Sequence, residues 1–216
     1  MLSRDPLSFA AHVELAVACR QARHYDRAIT ELRRALEIAP AQRRGHFQLG
    51  ITFIDAGRLK DAIAEFEVIG KPGPEANPRF EAYLGYAYAA GGRPADARRI
   101  LRDLELTARH QYVSSFGIAL IQDALGDKEA ALAALDRAHQ DRAVEFAMMT
   151  QYPPFKTVTA DPRYIALMRL IGLPDNVQKV RGWRTEARAS FYTVATRNPA
   201  LLSLNSRRSC ETLTAA

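Results

Sequence analysis

A 34-residue recurrence constrains this chain more than any other feature. Pro6, Pro40 and Pro74 stand at intervals of 34, and units counted from that frame begin at Phe9, Arg43, Pro78 and Tyr112, with spacings of 34, 35 and 34. A period of this length points to a stacked array, because each unit can bury its apolar face only against its neighbours. Superposing the units brings like residues to like positions. The seventh position reads Leu15, Leu49, Leu84 and Ile118; the eighth is Ala16, Gly50, Gly85 and Ala119; the twentieth is Ala28, Ala62, Ala97 and Ala131; the twenty-fourth is Leu32, Phe66, Leu101 and Leu135. Two antiparallel helices approach closely only where one presents a bare methyl or hydrogen, and large apolar residues beside that contact fill the remaining space.

The punctuation agrees with a helix-turn-helix unit. Gly57, Gly92 and Gly126 occupy position fifteen, where a first helix stops in the left-handed conformation that glycine adopts at least cost. Asp26, Asp61 and Asp96 fall at or near the start of the second helix, where a carboxylate suits the positive end of the dipole. Pro40 and Pro74 close second helices, which proline cannot continue. This order of residues resembles the tetratricopeptide repeat. The expected fold is therefore all-α: an α-solenoid of about four helix-turn-helix units, near 9–42, 43–77, 78–111 and 112–145. A cap over 146–174 completes a domain spanning 1–174. Some positions depart from the pattern. The fourth, usually aromatic, holds His12, His46, Glu81 and Ser115, and position eleven of the last unit is Gln122.

Beyond the repeats lie Tyr152-Pro153-Pro154-Phe155, then Asp161-Pro162-Arg163-Tyr164 and Gly172-Leu173-Pro174. Asp161 suits an N-cap and Pro162 the first turn, while Tyr164, Leu167, Met168 and Ile171 form a face able to seal the end of an array. Together with Ala124 to Lys128, the stretch from Asp5 to Pro174 resembles the C-terminal tetratricopeptide region of bacterial winged-helix transcriptional regulators, class III adenylate cyclases and some serine/threonine kinases. That resemblance implies a sensing, regulatory or partner-binding module and brings no catalysis with it. Arg4-Asp5-Pro6-Leu7 reads like the close of an earlier repeat, so the chain is either short by nature or the end of a longer regulator.

Composition narrows the class. The 216 residues are 48% hydrophobic, enough for a continuous core without a metal or disulfide staple. Cys19 and Cys210 form no CxxC or zinc spacing, which points to a reducing, cytoplasmic setting. No apolar run reaches the ~20 residues of a membrane span. Of the net charge of +6, four units sit in residues 175–216, a basic Ser/Thr-rich tail expected to be largely disordered. A nucleic-acid arm is the weaker alternative for that tail, since charge runs are usually solvated.

No constellation for chemistry emerges. The five histidines show no i, i+4 spacing with a carboxylate partner, Cys19 takes a position normally buried, and no Gly-Lys-Ser/Thr follows Gly91 and Gly92. The chain reads as a non-enzyme with no cofactor and no metal, whose partner is a protein or peptide. Positions five and nine of the first helices, Val13, Val17, Phe47, Ile51, Ala82, Tyr86, Phe116 and Leu120, are expected to line an apolar concave groove. Val13, Val17, Phe47, Ile51, Tyr86, Phe116 and Leu120 are the candidate contacts, with the aromatic ones carrying most of the binding.

Overall fold

A computed structural model describes residues 8–69, 77–141 and 155–170. The expected disorder of 175–216, and residues 146–154 and 171–174 of the segment assigned to the cap, lie outside the described residues. Among the described residues there are nine helices and no strand: α1 Phe9–Gln21, α2 Tyr25–Ile38, α3 Arg43–Asp55, α4 Leu59–Ile69, α5 Pro78–Ala90, α6 Pro94–Thr107, α7 Ser115–Ala124, α8 Lys128–Gln140 and α9 Pro162–Leu170. First helices thus begin at Phe9, Arg43 and Pro78, and the fourth begins at Ser115, three residues after Tyr112. The fold is all-helical, of the α-solenoid class, and divides into two compact units, one holding α1–α4 and the other α5–α9.

Each hairpin closes around the small residues. Ala16, Ala28, Ala62, Ala97, Ala119 and Ala131 have no exposed surface. A Cβ placed on Gly50 would lie 2.5 Å from the Phe66 ring, and one on Gly85 would lie 2.7 Å from Ile121 Cδ1. The closeness of the helices therefore depends on what these positions lack. The large positions are less uniform. Leu32, Phe66 and Leu135 are buried, whereas Leu101 is only half-buried. The buried stripe of α6 runs Ala97, Ile100, Leu104, so helical phase carries it through position twenty-three in that unit. Leu15 is likewise only half-buried.

The turns repeat as well. Gly57, Gly92 and Gly126 have φ of 75°, 82° and 85°, and Arg23 takes the same place in the first hairpin with φ of 66°. The left-handed turn is thus imposed by the hairpin even where no glycine supplies it. Helix starts are capped locally: Ser8, Asn77 and Asp127 side chains accept from the N–H groups of Ala11, Arg79 and Ala130.

In the α1–α4 unit, α1 packs on α2, α3 on α4, and α3 also against α1 and α2. Arg43 Nη2 donates to the Ile69 carbonyl at 2.8 Å, tying the start of α3 to the end of α4. In the α5–α9 unit, α5 packs on α6 and α7, α7 on α8, and α9 lies against α8. Phe155 and Val158, just before α9, are buried. The Phe155 ring meets Phe116 of α7 edge-on at 5.6 Å and Tyr164 of α9 at 6.1 Å.

Candidate functional site

The expected groove lining is largely core. Val13, Phe47, Ile51, Tyr86, Phe116 and Leu120 are all buried, from 0% exposed for Val13 to 6% for Tyr86, and Val17 alone keeps partial exposure. Position five explains part of this. Phe47 faces Phe66 of its own hairpin at 6.0 Å between ring centres, and Phe116 faces Phe155. These rings hold helices together and are not open to a partner.

The open surface of the first unit follows a different stripe. Positions two, six, nine and thirteen succeed one another along one helix face. In α1 they are Ala10, Glu14, Val17 and Gln21, of which Ala10 and Glu14 are exposed and the others half-buried. In α3 they are Arg44, Gln48, Ile51 and Asp55, of which only Ile51 is buried. Arg44 donates to Glu14 across the two helices, and Arg20 donates to Asp55 at 2.7 Å. The stripe is thus largely polar and tied by ion pairs, with Ala10 and Val17 as its open apolar residues. Gln48 Oε1 is buried and has no hydrogen-bond donor among the described residues. The equivalent stripe of the second unit is more apolar and more closed: Tyr83, Tyr86, Val113, Gly117 and Leu120 are buried, Ala90 and Ala124 are half-buried, and Arg79 is its one exposed residue.

Position four, which departs from the usual aromatic, carries polar pairs in the first unit. His12 Nδ1 lies 2.7 Å from Glu31 Oε2, and both side chains are nearly inaccessible. His46 Nδ1 lies 2.7 Å from Glu65 Oε2, with its Nε2 2.9 Å from the Pro40 carbonyl. Both partners stand nineteen residues downstream, at position twenty-three, a spacing visible in the sequence once the hairpin is folded in the mind. Glu31 is also bonded by Arg34 at 3.1 Å. Another repeated pair marks the two middle hairpins. Arg58 and Arg93, at position sixteen, stack over Phe53 and Tyr88 at 4.6 and 4.2 Å and donate to Asp61 and Asp96.

In the second unit position four changes character. Glu81 is half-buried, and burial first, then the nearby Asp103 charge, pushes its carboxyl above the usual range. Ser115 donates to Asp141 at a long 3.4 Å.

The end of the second unit is closed by two sets of charges. Asp123, 2% exposed on α7, accepts from the N–H groups of Lys156, Thr157 and Val158 and from the Thr157 hydroxyl, at 2.5 to 3.2 Å. Asp161 caps α9 through the Arg163 N–H and meets the Lys128 ammonium at 2.8 Å. Arg163 in turn forks onto Glu129 with bonds of 2.8 and 2.7 Å. The Arg163 and Lys128 hydrogen bonds hold the Asp161 carboxyl well below its usual range, and Arg163 lowers Glu129 in the same way. Burial and the Asp123 charge push the Tyr164 hydroxyl up to about 12. Nothing in the sequence marked Asp123 as the acceptor for a loop more than thirty residues away.

Among the described residues, no group of three His, Cys, Asp or Glu could hold a metal ion, and no helix is long and apolar enough to cross a membrane. Cys19 is fully buried. The model of the tetratricopeptide repeat family matches residues 2–43, 20–77 and 47–112, which together span just over half of the chain. No match is found among curated proteins. Tetratricopeptide repeats are generally protein–protein interaction modules, and their fold is typically a non-catalytic scaffold. With its hairpins closed on small residues and three overlapping family matches along its first half, this chain belongs to the tetratricopeptide repeat family.

Proposed function

We propose that the chain is a non-catalytic scaffold that holds a protein or peptide partner along the first helices of its repeats, and that the working face lies on α1 and α3. The observation that carries this reading is the partly open stripe of Glu14, Val17, Gln21, Arg44 and Gln48. It combines an open apolar contact with a charged pair that spans the two helices. The buried thiol of Cys19 suits a reducing, cytoplasmic setting.

The test is affinity capture from native lysate with wild type and a Val17→Glu, Gln48→Ala double variant, after checking that both have the same helicity and Tm. Loss of a specific partner by the variant supports the reading, and equal capture by both contradicts it. Substituting Phe47 and Tyr86 would confuse the result, since truncating a buried aromatic costs about 3–5 kcal/mol of stability.

A second reading makes this chain the regulatory end of a cyclase, kinase or winged-helix regulator. It is motivated by the resemblance carried in part by Asp161 and Arg163, which bond to Lys128 and Glu129 in the closing segment. A cyclase, kinase or winged-helix domain encoded in frame upstream would support it.

A further inference from the structure

The second unit contains a pocket of about 560 Å³ that no residue of the α1–α3 stripe lines. It opens where the end of α6, the turn leading into α7, and the last turn of α8 converge. Its floor is apolar: Val113 and Ile118 are buried and line it. Its wall carries the Glu105 and Asp141 carboxylates and the Tyr112 ring, which is 66% exposed. Helices α6 and α8 both reach it by their C-terminal ends, where backbone carbonyls concentrate partial negative charge. Arg137 and the N-terminus of α7 offset part of this charge but not all of it.

From this we infer that the pocket takes a cationic side chain of a partner protein, lysine or arginine, with its alkyl stem on Val113 and Ile118. The charged head then lies among Glu105, Asp141 and the face of Tyr112. An aromatic face, two carboxylates and two helix C-termini around an apolar floor complement such a group, and an acidic or purely apolar side chain would forgo most of these contacts. The inference rests on the scaffold reading for the source of the cation. It adds a specificity element distinct from the α1–α3 stripe.

The full chain can be titrated with Nα-acetyl-lysine methylamide while amide resonances are followed by NMR. Saturable shifts at Gln111 to Ser115 and at Asp141, in the millimolar range expected of a single side chain, are predicted. The norleucine compound, which keeps the four-carbon stem but lacks the ammonium, should produce much smaller ones. Glu105→Gln with Asp141→Asn should weaken binding about tenfold, and Arg137→Gln should tighten it about threefold by removing the competing cation. Absence of saturable shifts, equal response to norleucine, or a preference for the glutamate analogue would overturn the assignment. Because the probe reads the pocket alone, its failure is distinguishable from a failure of partner capture on α1 and α3.

Discussion

The hairpins of α1–α4 and those of α5–α9 are built from one repeat, yet they spend its variable positions in opposite ways. In the first unit, position four is a histidine bonded to a glutamate on the second helix, twice over, and the first-helix stripe stays partly open and polar. In the second unit, position four is Glu81 or Ser115, the same stripe is mostly apolar and buried apart from Arg79, and polar groups gather at the end, around Asp123 and Asp161. The positions that set helix distance and turn geometry are held constant across both. A repeat therefore fixes how its helices meet, while the residues around that contact are free to make one unit a surface and the other a closed body.

The comparison can be broken most forcefully at Asp123. Asp123→Ala removes the single acceptor for three backbone N–H groups and a hydroxyl, and should cost about 3–5 kcal/mol. Hydrogen exchange should show the loss at residues 156–158 and in α9, with α1–α4 unchanged. Exchange that rises equally in both units would mean that Asp123 is not a local lock.

A smaller effect is expected at His12. His12→Ala should cost about 1–3 kcal/mol in urea unfolding, because Glu31 stays buried with one partner fewer. Replacing both members, His12→Phe with Glu31→Leu, should recover most of that loss, since the fourth position can be aromatic and no polar group is then stranded. If the double variant is as unstable as the single one, the pair does more than satisfy itself.

At the first turn, Arg23→Gly should raise stability by about 0.5 kcal/mol, as relief of the left-handed strain at φ 66° outweighs the added chain entropy. The same glycine is already present in the other three hairpins, so a loss of stability would show that the Arg23 side chain contributes something the turn geometry does not.

The smallest effect is one of pH. Glu81 has a raised folded pKa, so its contribution favours folding at low pH and is lost as pH rises through that value. Glu81→Gln should therefore raise Tm at pH 7 and differ little from wild type below about pH 4. Asp161 and Glu129 act with the opposite sign: their carboxyls are held low, so the clasp stabilises at neutral pH, and that contribution begins to fall in the usual carboxylate range and is lost only below it. Thermal scans of wild type and the Glu81 variant across pH 3–7 separate the two.

The fold was legible because each defining position has a steric duty that few residue types perform cheaply. Ala62 and Gly50 announce a close helix contact, and Gly57 and Gly92 announce a left-handed turn, before any coordinates are considered. The partner surface was less legible. Helical spacing places Phe47 and Phe116 near the first-helix face, but the angle that turns them onto Phe66 and Phe155 is set by packing across the hairpin and at the closing segment. The His12–Glu31 pair was hidden for a related reason, since its two members are neighbours only after the hairpin closes. Asp123 left no local trace, because its donors are backbone groups that any residue would supply.

The central claim, that a protein partner is held on α1 and α3, is tested most directly by photo-crosslinking in native lysate. A benzophenone side chain introduced in place of Val17 is compared with one in place of Arg33, an exposed residue of α2. The account predicts a discrete protein adduct from position 17 that is absent from position 33. The same adducts from both positions, or none from position 17 while position 33 yields one, would contradict it.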